Sequence, residues 1–320
     1  MKFLYNQLIL SFFYIVQSVR GLVALSLYIM NIVFGFIIIL SLSIVQWIPL
    51  PKWRSFCRKL MDQLPVYWIA LNTWIQKLTI PHVNWKVYFK SPINVHALSL
   101  EKWYLLISNH KSWVDILVLQ RVFNNKIPPL KFFMKSVLLW TVPLIGWMCW
   151  LLGFPIVRRY AHKQLVKNPL LKKHNREVAR VACERYKHYP TTITNFVEGG
   201  RFSQHIHLKQ NTPYQYLLHP HSGGVATVLS VLENYCHHLL NVTIIYYPDK
   251  INLWNFVCGR ISKIFVYVEI LPVPSYLVGD YENDPLFRTV IQRRLNDMWS
   301  EKDQLMQGKL DQGQWVQWIE

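Results

Sequence analysis

At 320 residues the chain has room for one large domain or two small ones; a composition 52% hydrophobic and 16% charged, with net charge +18, suits an anionic bilayer, phosphate-bearing substrates or nucleic acid. No paired Cys/His finger and no aromatic RNP stretch is present, which argues against nucleic acid as a partner. Five cysteines, Cys57, Cys149, Cys183, Cys236 and Cys258, are scattered with no two close together, which excludes a disulfide framework and fits reduced thiols facing the cytosol.

The N-terminus reads as a membrane anchor. Residues 21–51 form an uncharged run of 31, long enough to span a bilayer with some tilt, and residues 4–19 form a shorter run of 16. The apolar stretch is too long for a cleaved signal peptide, and no clean small-x-small site follows it. Lys2 lies at one end, and Lys52, Arg54, Arg58 and Lys59 lie at the other. The positive-inside rule then puts both ends in the cytoplasm if the two runs form a hairpin turning near Arg20. One span plus an interfacial helix fits as well. Only Lys2 and Arg20 are charged in the first 51 residues, so the rest of the chain carries a balance of +16. Near an anionic surface each basic residue contributes about 1 kcal/mol. The division is an anchor over residues 1–60 and a folded domain over 61–320.

Beyond the anchor, strands are predicted near residues 85–89, 103–107, 131–134, 154–157, 191–197, 242–247 and 264–271. Helices are predicted near 115–123, 171–187, 225–240 and 284–307. Strands alternating with helices predict an α/β fold, a mixed sheet of about seven strands flanked by helices, behind an N-terminal membrane helical hairpin.

The first motif closes the run 103–107. Asn109-His110-Lys111-Ser112-Trp113-Val114-Asp115 sets an imidazole and a carboxylate five positions apart. Such positions differ by about 140° around a helix, so His110 and Asp115 cannot share one helical face. They meet if His110 sits on the loop leaving the strand and Asp115 sits in the first helical turn. Ser112 is the expected N-cap, and the helix dipole favours Asp115 there. Asp115 then fixes the tautomer of His110 and leaves the other nitrogen free to take a proton. A solvent-facing histidine beside a capping aspartate explains the isolated motif equally well.

Residues 137–157 are uncharged over 21 positions, a transmembrane signal by hydropathy alone. Pro143 and Gly146 interrupt its helical pattern, and Gly153-Phe154-Pro155-Ile156-Val157-Arg158-Arg159 reads as a turn, a short strand and a basic end. A buried or membrane-dipping helix leading into a strand is expected; a true span would put Arg158 across the bilayer from His110. A second cluster, Asn195-Phe196-Val197-Glu198-Gly199-Gly200-Arg201, closes the run 191–197. The pairs His205/His207 and His219/His221 tempt a metal reading, but neither cluster holds a cysteine or carboxylate, and no metal site is expected.

Together these segments resemble the signature blocks of the PlsC-type glycerolipid (lysophosphatidic acid) acyltransferases, over roughly residues 103–307. His110 and Asp115 match the first block. Lys135, Pro143, Gly146 and Trp147 are similar to a lysine followed by a Pro-x-x-Gly-Trp turn. Phe154 to Arg159 resembles the second block, and Phe196 to Arg201 the third, usually Phe-x-Glu-Gly-Thr-Arg. Residues 217–224 are similar to the segment where many members have Pro-Lys before a Gly pair. Val242 to Pro248 resembles the fourth block, and Gly279-Asp280-Tyr281 points to a bacterial YihG-like branch. Gly200 stands where the family has threonine, and His221 where lysine is common.

The resemblance implies an acyltransferase that esterifies the free hydroxyl of a lysophospholipid, above all 1-acyl-sn-glycerol-3-phosphate. The acyl donor is acyl-CoA or acyl-acyl carrier protein, a co-substrate, with no cofactor. His110 and Asp115 are the implied catalytic residues. Lys135, Arg158, Glu198, Gly199, Gly200 and Arg201 are the implied substrate-binding residues. Backbone N–H groups after His110 are the expected oxyanion donors. A bacterial inner membrane, with the site facing the cytoplasm, is the implied location. A different lysophospholipid acceptor, a hydrolase using the same His and Asp, and a non-catalytic basic protein binding anionic lipid are the alternatives.

Overall fold

The computed structural model describes residues 2–90, 97–158, 170–309 and 315–318. Helix α1 runs from Lys2 to Val45 without a break, about 66 Å at 1.5 Å per residue. It is the one described helix long and apolar enough to cross a membrane. Helix α2 spans Pro51–Thr79 and packs back along α1. The hairpin turn therefore lies at residues 46–50 and not near Arg20. The reason is local. Gly21 beside Arg20 costs a helix only about 1 kcal/mol. Pro49 and Pro51 disfavour helix in the residues before them, and Pro51 then occupies the first turn of α2. Arg20 stays helical and meets His82 at 3.4 Å. Asn31 joins the two helices through bonds to the Asn72 side chain (2.8 Å) and the Trp68 carbonyl (3.2 Å). The division at residue 60 falls inside α2.

The body is a mixed seven-stranded sheet flanked by helices. Its strands are β1 (Asn84–Lys90), β2 (Tyr104–Ser108), β3 (Leu130–Phe132), β6 (Thr192–Asn195), β7 (His238–Tyr247), β8 (Lys263–Pro272) and β9 (Trp315–Trp318), in the order β3-β6-β2-β7-β8-β1-β9. β3, β6, β2 and β7 run parallel; β7 and β8 are antiparallel. A separate two-stranded ribbon pairs β4 (Met134–Lys135) with β5 (Ile156–Val157). The helices that follow α2 are α3 (Val114–Phe123), α4 (Leu138–Thr141), α5 (Pro143–Leu151), α6 (Leu170–Glu184), α7 (Gln204–Gln210), α8 (Gly223–Val231), α9 (Leu253–Val257) and α10 (Pro285–Met306).

β2 is buried on both sides, as a central parallel strand must be. Tyr104 and Leu106 join the core formed with α3, Ala24 and Tyr28 of α1, and β8. Leu105 and Ile107 join the opposite core, formed with α8 and α10. The alternation follows from the two-residue period of a strand.

Residues 137–157 do not form one span. The helix breaks between α4 and α5 at Val142–Pro143, turns at Gly153 (φ +74°) and enters β5. Trp140 and Trp150 are exposed on this segment, and Trp147 meets Phe36 of α1 at 6.0 Å. Residues 225–240 also differ from a single helix: α8 stops at Val231, and β7 begins at His238. Both halves are apolar, and periodicity alone cannot divide such a run. β7 extends because its first residue, His238, already pairs with both β2 and β8.

Candidate active site

The carboxyl ends of parallel strands are where open α/β sheets gather ligands. Here β2, β6, β3 and β7 bring four chain segments to one edge. β2 ends at Ser108, and Asn109 locks the exit: its Nδ2 donates to the Ile244 carbonyl, and its Oδ1 accepts from the Ile244 N–H, both at 2.9 Å. His110 follows on the loop and Asp115 lies in the first turn of α3.

His110 Nδ1 lies 2.8 Å from Asp115 Oδ2. The same oxygen accepts from the N–H of Lys111 at 2.6 Å and of Ser112 at 2.9 Å. Oδ1 accepts from the Tyr246 hydroxyl at 2.5 Å. The carboxylate, 1% exposed, thus accepts on both oxygens, which sets the ring proton on Nδ1 and leaves the Nε2 lone pair open. The imidazole stacks on Phe196 (centroids 4.0 Å, 13°), which in turn stacks on Phe132 at 5.7 Å. Its side chain is 15% exposed, so one edge reaches solvent. Ser112 is not the N-cap. Trp113 holds that position, and the Ser112 hydroxyl accepts from Val114 N–H at 3.3 Å. The carboxylate of Asp115 reaches back to the loop ahead of α3 instead of capping it. It takes the Lys111 and Ser112 amides, so neither is open to an oxyanion.

The second cluster leaves β6 and returns to the first. Phe196 and Gly199 close a turn, Gly199 N–H to Phe196 C=O at 2.9 Å. Gly199 has φ +66°, a conformation that disfavours a Cβ. Gly200 is half-buried without positive φ. The Phe202 N–H then donates to the His110 carbonyl at 2.7 Å, which fixes one loop to the other. Arg201 is exposed, its guanidinium 5.3 Å from the Trp113 ring centroid. Lys111 makes an ion pair with Asp249.

Glu198 points inward, 3% exposed. Its carboxyl is pushed up to about 8 by burial, against the pull of the Leu218 N–H and the Lys302 ammonium. Lys135 and Arg158 stand at the β4–β5 ribbon. The ribbon pairs Lys135 with Val157, immediately before Arg158, and Lys135 stands three residues beyond Phe132. Arg159 lies outside the described residues. Beside the ribbon a cleft of about 320 Å³ is lined by Trp150, Phe154, Ile156, Val178 and Val181 together with His174, Glu177 and Arg185, and by none of the expected site residues.

Tyr246 escaped the sequence reading. Burial and the adjacent Asp115 charge push its hydroxyl well above the ordinary tyrosine range. Its signal was there: Val242, Ile244 and Tyr246 share one face of β7, and a buried tyrosine hydroxyl needs a partner. Tyr246→Phe is expected to lower stability by about 1.5–3 kcal/mol, the range for a hydrogen bond to a charged group, read by urea unfolding.

Comparison with known proteins gives two findings. The sequence model of the Acyltransferase family matches residues 86–245, half of the chain. The chain is also similar to the crystal structure of the 1-acyl-sn-glycerophosphate (LPA) acyltransferase, PlsC, from Thermotoga maritima: 14% identity, TM-score 0.46, with 94% of this chain and 98% of that one covered. No curated protein sequence matches the chain.

Proposed function

The chain belongs to the acyltransferase family, and from that premise we propose that it transfers a fatty acyl group from a thioester to the free hydroxyl of a lysophospholipid, foremost 1-acyl-sn-glycerol-3-phosphate. The observation that carries this reading is the join between the two loops: His110, its ring oriented by Asp115, accepts at its backbone carbonyl from the N–H of Phe202, the residue after Arg201. A proton acceptor beside a cation is what an anionic alcohol substrate requires.

On this reading His110 Nε2 takes the proton of the glycerol hydroxyl as its oxygen attacks the thioester carbonyl. The tetrahedral intermediate collapses, the C–S bond breaks, and the imidazolium returns its proton to the leaving thiolate. Asp115 stabilises the imidazolium in between. Arg201, with Lys135 and Arg158 from the ribbon, grips the phosphate; guanidinium suits two-point contact. Gly199 and Gly200 let the turn approach it closely, and Glu198 holds that turn from within. The acyl donor is acyl-CoA or acyl-acyl carrier protein, and the reading invokes no cofactor. The cleft beside the ribbon seats the fatty chain. α1 anchors the protein in a bacterial inner membrane with the site on the cytoplasmic side. The exposed tryptophans of α4 and α5 suit the membrane–water interface.

The test is radiolabelled acyl-CoA with membranes carrying the protein. Phosphatidate is expected only when lysophosphatidate is supplied. Free fatty acid without acceptor would indicate a hydrolase, and no turnover a silent lipid binder. Arg201→Ala is expected to raise KM for lysophosphatidate about tenfold or more, the loss of one charged contact, while KM for the acyl donor stays put. Equal changes in both constants would remove Arg201 from the phosphate grip.

A further inference from the structure

Helix α10 lies beyond the span matched by the family, residues 86–245, yet it reaches the floor of the site. Lys302 is 2% exposed. Its Nζ donates to the Val242 carbonyl at 2.5 Å and sits 4.7 Å from the Trp299 ring centroid. An ammonium carries three N–H donors and is expensive to bury without an opposite charge. The opposite charges within its field are Glu198 and Glu269. Glu269 already takes Lys90 Nζ at 2.5 Å and Asn241 Nδ2 at 3.1 Å. Glu198 has no such bond: among the described residues neither of its oxygens closes one, although the Leu218 N–H and the Trp299 indole point at it.

The rest of α10 holds the surrounding loop. Asp303 accepts from the N–H groups of Gln215 (3.0 Å) and Tyr216 (2.8 Å). Gln292 takes the Ser222 N–H at 3.2 Å and donates to the Pro220 carbonyl at 2.8 Å. That loop in turn donates His221 N–H to the Val197 carbonyl at 2.8 Å, one residue before Glu198. Val242, which Lys302 grips, lies two residues before the Asn109 clamp at Ile244 and four before Tyr246.

We propose that Lys302 is a positioning residue for the acceptor loop: its hold on the Val242 carbonyl of β7, with its ammonium buried on the same floor as Glu198, keeps the turn 196–201 in register with His110. The inference deepens the acyl-transfer reading and rests on it. Burial drives the two groups toward neutrality, Glu198 up to about 8 and Lys302 down to about 7, and each draws the other back. Asp115 opposes ionisation of Glu198 from the α3 side, and Glu269 supports the Lys302 charge from β8. Lys302 is the one cation among the groups acting on Glu198.

The full-length protein in nanodiscs tests this with two variants. Lys302→Gln keeps a donor for Val242 and removes the charge; Lys302→Met removes both. Lys302→Gln is expected to raise KM for lysophosphatidate about tenfold with kcat and donor KM nearly unchanged, a loss of acceptor binding alone. Adding it to Glu198→Gln is expected to change little further, because residues that act through one another are not additive. Hydrogen–deuterium exchange of amides 197–202 is expected to quicken in either variant while α1 and α2 stay protected. Additive kinetic losses, or exchange at 197–202 equal to wild type, would overturn the proposal; so would faster exchange throughout, which marks a general fold defect. If wild-type protein transfers no acyl group, the enzymatic reading fails, and the exchange comparison still decides whether Lys302 holds the loop.

Discussion

Replacing His110 by alanine is expected to lower phosphatidate formation by about 10²–10⁴-fold, the usual worth of a positioned general base. The loss should be chemical and not structural. The imidazole is only partly buried, and Asp115 keeps the Lys111 and Ser112 amides and the Tyr246 hydroxyl when the ring is gone. Phe196 loses its stack with His110 but keeps the one with Phe132. α1 is untouched, so membrane association should match wild type. The measurement is acyl transfer from labelled acyl-CoA at saturating lysophosphatidate, beside a flotation assay for the membrane-bound fraction. Transfer within a few-fold of wild type would mean that another group takes the hydroxyl proton, and the proposed role of His110 would fall.

Much of this site can be traced in the chain because strand ends are where apolar runs stop. The runs ending near Ile107 and Val197 each hand over to a polar cluster, and parallel pairing of β2 with β6 then sets those clusters side by side. What could not be read depended on contacts made across long separations. Tyr246 reaches Asp115 from 131 positions away, and Lys302 reaches Val242 from 60. Nothing local distinguishes Lys302 from the solvated lysines of other helices. β9 was missed for a related reason: four residues near the C-terminus become a strand only through antiparallel pairing with the edge of β1. The anchor turn was misplaced because Arg20 looked like an interruption. In the fold its charge meets His82, where α1 crosses the rim of the body, and the prolines at 49 and 51 make the turn.

Asp115→Asn is expected to reduce transfer by about 10²–10⁴-fold and to lower stability by about 2–4 kcal/mol, because one side chain serves both chemistry and fold. The carboxylate answers three N–H donors with one oxygen and the Tyr246 hydroxyl with the other. An amide offers a single acceptor. With its oxygen toward His110, its NH₂ meets Tyr246, whose hydroxyl must turn round and accept. The opposite flip sets two donors against three. The first arrangement keeps the ring oriented but removes the negative charge that stabilises the imidazolium during transfer. Rate should therefore suffer more than geometry: kcat should fall with KM for lysophosphatidate little changed, since Arg201 stands on the other loop. Urea unfolding of Asp115→Asn, Tyr246→Phe and the double variant completes the case. If Tyr246 works through Asp115, the two losses overlap and the double variant is less destabilised than their sum. Full transfer by Asp115→Asn would show that stacking on Phe196 alone orients His110, and the carboxylate would then be a clamp on the loop before α3 with no part in the reaction.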